Sequence, residues 1–144
     1  FGGLFNQPIN DVVWPHALKH LVLGVSFNRS IEYVHWPDSL ERLTLGTVFN
    51  QPIHQVEWPN SLQHLRLGAM FNKPIHQVMW STSLQHLDFG IIFNQPIRQV
   101  VWPSSLKSLT FGSMFDQPLG DGKWPASLRR LTVGGIKQRI NEIT

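Results

Sequence analysis

The sequence predicts a repeat solenoid: one short parallel β-strand per coil, the other side extended or turn-like, and little helix. Three observations carry this. A phenylalanine recurs at one fixed step, without slippage, at Phe5, Phe27, Phe49, Phe71, Phe93 and Phe115. Each phenylalanine after the first is preceded by a segment of the form Leu18-x-x-Leu21-x-Leu23-Gly24. Two prolines and a glycine recur in most copies, which leaves no room for a full helix. A fixed period of this size is the signature of stacked supersecondary units.

The strand comes from alternation. Leu21 and Leu23 flank position 22, the period-2 pattern of an extended segment with one buried face. The columns are Leu21, Leu43, Leu65, Leu87, Leu109, Leu131 and Leu23, Leu45, Leu67, Phe89, Phe111, Val133. Each strand ends at a glycine (Gly24, Gly46, Gly68, Gly90, Gly112, Gly134), which implies a positive φ or a close backbone approach at one corner. The second side follows Ile9-x-x-Val12-x-Trp14-Pro15, where the proline pushes the preceding tryptophan toward extended geometry. Six full copies span 3–24, 25–46, 47–68, 69–90, 91–112 and 113–134. The domain expected is 1–134, starting inside a preceding repeat. After Gly134 the pattern decays, and 135–144 is expected to be a degenerate polar C-terminal cap, with Ile136, Ile140 and Ile143 at helix-like spacing. The first residues carry no polar cap, so the sequence implies either more chain upstream or an end that stacks on another molecule.

These residues resemble a known family. Leu-x-x-Leu-x-Leu is the opening of a leucine-rich repeat. Phe5-Asn6-Gln7-Pro8-Ile9, Phe49-Asn50-Gln51-Pro52-Ile53, Phe71-Asn72-Lys73-Pro74-Ile75 and Phe93-Asn94-Gln95-Pro96-Ile97 are similar to the FNIP repeat, a variant whose period equals the step seen here. Phe27-Asn28-Arg29-Ser30-Ile31 lacks the proline, and Phe115-Asp116-Gln117-Pro118-Leu119 has aspartate for asparagine. The resemblance implies a right-handed, leucine-rich-repeat-like solenoid and a role in protein–protein interaction, often as one part of a longer chain.

Composition narrows the function classes. With no cysteine there are no disulfides, thiolate metal sites or thiol nucleophiles, which fits a reducing, intracellular compartment. No apolar run approaches the roughly 20 residues that span a bilayer, and no signal peptide is visible, so no membrane insertion is expected. A net charge of +3 falls short of the basic stripe of a committed nucleic-acid binder. The tryptophans Trp14, Trp36, Trp58, Trp80, Trp102 and Trp124 fall where the pattern needs core residues, in preference to ligand platforms. The column Asn6, Asn28, Asn50, Asn72, Asn94, Asp116 is expected to bond corner backbone groups, so the sequon at Asn28 is coincidental.

No catalytic constellation emerges. Ser39, Ser61, Ser83, Ser105 and Ser127 belong to one structural column with no His/Asp pair set against it. His64 and His86 should be neighbours, as should His54 and His76, but two imidazoles fall short of the three or four ligands of a tight zinc site. The expectation is therefore no enzyme, no metal and no cofactor. The informative surface is the outward face of the strands: His20, Arg42, His64, His86, Ser108 and Arg130, with Thr44, Arg66, Asp88, Thr110 and Thr132 beside them. These positions vary while the core columns repeat, which is where a repeat protein places recognition. A protein partner is the leading expectation. The alternatives are end-to-end stacking in a filament or larger assembly, and binding of an acidic glycan or nucleic acid through Arg42, Arg66, Lys107, Arg129 and Arg130.

Overall fold

The computed structural model describes residues 1–120, 122–134 and, as backbone, 136–138. Six strands, β1 (His20–Val22), β2 (Arg42–Thr44), β3 (His64–Arg66), β4 (His86–Asp88), β5 (Ser108–Phe111) and β6 (Arg130–Val133), pair in parallel in chain order. A seventh, β7 (Ile136–Gln138), returns antiparallel on β6. No helix is present among the described residues. The helix-like spacing of the last isoleucines is therefore not realised at Ile136, which pairs with Val133 in the sheet. Residues 135 and 139–144 of that segment, and Asp121, lie outside the described residues.

The register follows the period. Leu21 faces Leu43, Leu43 faces Leu65, and the column runs on to Leu131. Three i→i+3 hydrogen-bonded turns recur in the coils, the fifth showing two of them. In the third they are Phe49 N–H to Gly46 O at 3.0 Å, Val56 N–H to Ile53 O at 3.3 Å and Leu62 N–H to Pro59 O at 3.0 Å. The prolines and glycines thus sit where the chain changes direction.

Polar ladders join the coils at these corners. The amides of Asn28, Asn50, Asn72, Asn94 and Asp116 each donate to the side-chain oxygen of the ladder asparagine one coil earlier, at 2.9–3.0 Å. Gln51, Gln95 and Gln117 add amide donors to the same asparagines. Asn28 is held on both sides in this way, which explains its sequon as part of the ladder. The hydroxyls of Ser39, Ser61, Ser105 and Ser127 donate to leucine carbonyls of the preceding coil at 2.7–2.8 Å.

The corner glycines have a steric origin. A Cβ on Gly24, Gly46, Gly68, Gly90 or Gly112 would run into the carbonyl oxygen of the glycine one coil earlier. Close backbone approach, not positive φ, is what these five positions require. Among the described glycines only Gly134 takes a left-handed φ, of 57°.

Between the sheet and the turns lies one continuous core of leucine, phenylalanine, isoleucine, valine and tryptophan columns. Its rings stack coil on coil. The spacing of equivalent rings increases through the coil: 4.3 Å for His64–His86 on the outer strand face, 5.3 Å for Phe89–Phe111 just inside it, and 6.0–6.2 Å along the phenylalanine column. The tryptophans, at 5.9–6.4 Å, match the wide side. Each coil is therefore a wedge, and the strand face is concave.

The tryptophans are core: five of the six are at most 9% exposed and Trp124 is half-buried. Their indole N–H groups differ. Trp102 donates to Gly122 O at 2.9 Å and Trp124 to Leu119 O at 3.2 Å, whereas Trp14, Trp36, Trp58 and Trp80 find no acceptor among the described residues. The difference tracks Gly122, which stands where earlier coils have valine. A Cβ there would collide with the Trp124 ring.

The corners and the indoles set the stability. Gly68→Ala meets only backbone atoms that cannot rotate away, so it should cost about 3 kcal/mol. Gly3→Ala, with nothing within 4 Å, should be nearly neutral. Asn72→Ala strands the amide of Asn94 and should cost about 2 kcal/mol. Urea unfolding with a shared slope measures all three. Trp102→Phe should destabilise more than Trp58→Phe, by about 1 kcal/mol, because only the former breaks a hydrogen bond. Equal losses would disprove that assignment.

Candidate binding face

Alternation sends Leu21, Leu43, Leu65, Leu87, Leu109 and Leu131 inward, so their neighbours on either side point out. Parallel pairing without slippage then stacks the expected site residues into two rows. His20, Arg42, His64, His86, Ser108 and Arg130 form one. Val22, Thr44, Arg66, Asp88, Thr110 and Thr132 form the other. His20, Arg42, Arg66 and Arg130 are exposed; His64, His86, Asp88, Ser108 and the three threonines are half-buried.

The middle of this surface is a shallow depression of about 290 Å³ across β2 to β5. Arg42, Thr44, His64, Arg66, His86, Asp88, Ser108 and Thr110 line it. Of the expected residues, His20, Arg130 and Thr132 stand outside it, toward the two ends of the rows.

At its centre the imidazoles of His64 and His86 stack, with centroids 4.3 Å apart and planes 5° from parallel. Two full charges at that distance repel by about 1 kcal/mol in water and about 4 kcal/mol at a protein surface. Burial holds the His64 pKa below its ordinary value, helped by the positive potential of His86, Arg42 and His20; Glu41 opposes weakly. Burial likewise lowers His86, with Lys107, Arg42 and Arg130 adding to the effect. Asp88 is raised by burial and pulled back by Arg66, whose Nε lies 3.3 Å from its Oδ2.

Two pairings escaped sequence reasoning: Arg66 with Asp88, and Lys19 Nζ with Glu41 Oε1 at 2.8 Å. That second bond raises Lys19 and lowers Glu41. In both pairs opposite charges stand one repeat apart in one column, so aligning the repeats would have found them. Of the other histidine column, His54 Nδ1 lies 3.4 Å from Glu32 Oε1, which has no hydrogen-bond partner among the described residues. Among the described residues no group of three or more His, Cys, Asp or Glu is placed to hold a metal ion. No helix among them is long and apolar enough to cross a membrane.

Larger grooves run along the tryptophan side, which sequence reasoning did not single out. One, of about 540 Å³, involves Val13, Trp14, His35 and Trp36; another, of about 390 Å³, involves Met79, Trp80, Val101 and Trp102. Their exposed apolar residues, Val13, Met79 and Val101, are separated by Glu57 in the same column. Asp11 and Asp38 line the first groove. Neither groove gathers arginines and stacked imidazoles as the concave face does.

A family model described as FNIP Repeat matches residues 5–48, 49–90, 71–114 and 93–136. A crystal structure described as CroV588, a novel circular LRR protein, is similar at 39% identity and a TM-score of 0.67. The match covers 93% of this chain and 23% of that one. No curated protein matches.

The stacked histidines make stability depend on pH. The unfolded chain protonates both near the ordinary value of 6.5, whereas the folded chain resists. Their contribution is therefore whole above 6.5 and is lost as pH falls through it toward the lower folded values. Thermal midpoints should drop on acidification through this window. His64→Gln/His86→Gln should flatten the slope, and an unchanged slope would refute the assignment.

Proposed function

The chain belongs to the FNIP repeat family, and from that premise we propose that it is a non-enzymatic recognition or scaffolding module whose concave strand face holds a protein partner. One observation carries the proposal. The concave face bears two in-register rows of side chains relieved of core duty, which vary from coil to coil on a frame whose buried columns repeat. A frame with stacked rings and corner ladders orders the rows before a partner arrives, which lowers the entropic cost of association. The rows of His20, Arg42, His64, His86, Ser108, Arg130 and of Thr44, Arg66, Asp88, Thr110, Thr132 supply donors, charge and hydroxyls, but no nucleophile activated by a base.

The wedge-shaped coil supports a second feature of this reading: the chain acts as an arc of a longer curved array. The relative described as circular is an LRR protein of which this chain spans 23%. Scaffolding by curvature and recognition on the inner face are compatible, because the outer columns carry the wedge and the strand rows remain free.

Selection of a random peptide display library on the protein tests the proposal. Enriched peptides should lose binding to Arg42→Glu/Arg66→Glu and keep it for Gln55→Glu/Gln77→Glu/Gln99→Glu, which alters exposed residues away from the strands. The reverse pattern, or no enrichment, would sink the proposal.

A further inference from the structure

We infer that the stacked His64–His86 pair, with Arg42 beside it, receives carboxylate groups of an acidic peptide, and that binding there takes up protons. This rests on the concave face being the recognition surface, and it adds the partner's chemistry and its control.

The charges around the pair carry the argument. On the β2 side stand Arg42 and Glu41, with His20 beyond; Lys107, just before β5, and Arg130 on β6 add positive potential at His86. The two acids nearby are already engaged: Glu41 is held by Lys19 at 2.8 Å, and Asp88 by Arg66 at 3.3 Å. Two imidazoles 4.3 Å apart therefore face cations, and of the two neighbouring acids, each already paired, only Glu41 offsets their protonation, as the smallest influence on His64. Burial keeps both toward the neutral form. A carboxylate entering the depression reverses that balance. It favours the imidazolium forms, so affinity must rise as pH falls, by the same linkage that lowers the stability of the free fold.

The face also disfavours sugar rings and bases as carriers of the anion. Sugar rings and bases are held by stacking on exposed aromatic faces. Here five of the six tryptophans are buried in the core, and none of the six is in the strand rows. The rows offer instead an arginine fork, imidazole donors and the hydroxyls of Thr44, Ser108 and Thr110. This set matches carboxylate geometry.

The probe is a rhodamine-labelled peptide of alternating aspartate and glycine, titrated by anisotropy at fixed low salt. It should bind about fivefold more tightly at about pH 5.5 than at about pH 7.5, because the bound carboxylate favours the imidazolium form over the neutral ring. Calorimetry in buffers of different ionisation heat should register proton uptake. His64→Gln/His86→Gln should keep the affinity found near neutral pH and lose the pH dependence, while Arg42→Gln weakens binding throughout; circular dichroism confirms that both variants fold. Equal affinity at both pH values without proton uptake overturns the proton linkage. Tighter binding of a sulfated oligosaccharide, lost in the same variants, overturns the partner class. Absence of peptide binding, while library-selected peptides still map to the strand face, overturns this inference and leaves the recognition reading standing; library peptides that avoid the face bring down both.

Discussion

Every coil of this protein must present to the next the same backbone groups at the same step, and the corners are where that demand is hardest to meet. In a strand the amides and carbonyls pair naturally with the neighbouring strand. At the corners only some do so: the amides of Ser26, Val48, Met70, Ile92 and Met114 reach carbonyls of the coil before, whereas those of the ladder residues meet no backbone acceptor, and burying them unpaired is costly. The asparagine ladder supplies the missing acceptors, one side-chain oxygen for each amide. The glycine corner removes the Cβ that would keep adjacent backbones apart. Core columns can stack only once these two conditions are met, so the phenylalanine and tryptophan stacks depend on the corners rather than the reverse.

The core then sets the shape. Stacked six-membered and indole rings step at about 6 Å, while parallel strands step at about 4.8 Å. A coil with bulky rings on one side and strands on the other has to fan out. Curvature turns the strand rows inward and crowds their side chains, which is why two imidazoles one repeat apart come to 4.3 Å. Ring size in the core is in this way coupled to the electrostatics of the surface.

Much of this is legible in the residues because the parallel partner of any position is simply the residue one period on. The pairing of Leu21 with Leu43, the burial of Phe27 and Trp58, the asparagine ladder and the adjacency of His64 to His86 all follow from counting. The corner glycine is ambiguous in sequence, since both a positive φ and a close approach require the same residue. The helical expectation at Ile136 fails because three isoleucines at helix spacing carry no information about the open edge of β6, which offers hydrogen bonds to an extended chain. The indole N–H groups of Trp58 and Trp102 look identical in sequence, and only the neighbouring backbone at Gly122 distinguishes them.

Sequence alone determined the repeat, the strand register, the buried columns and the two rows of free side chains, because each depends only on position modulo the period. The tertiary structure decided the curvature, the steric reason for the corner glycines, the stacking of the two histidines and the engagement of Glu41 and Asp88 by their cations. Those depend on distances across the coil, which arise from how rings of a given size pack against strands of a given spacing.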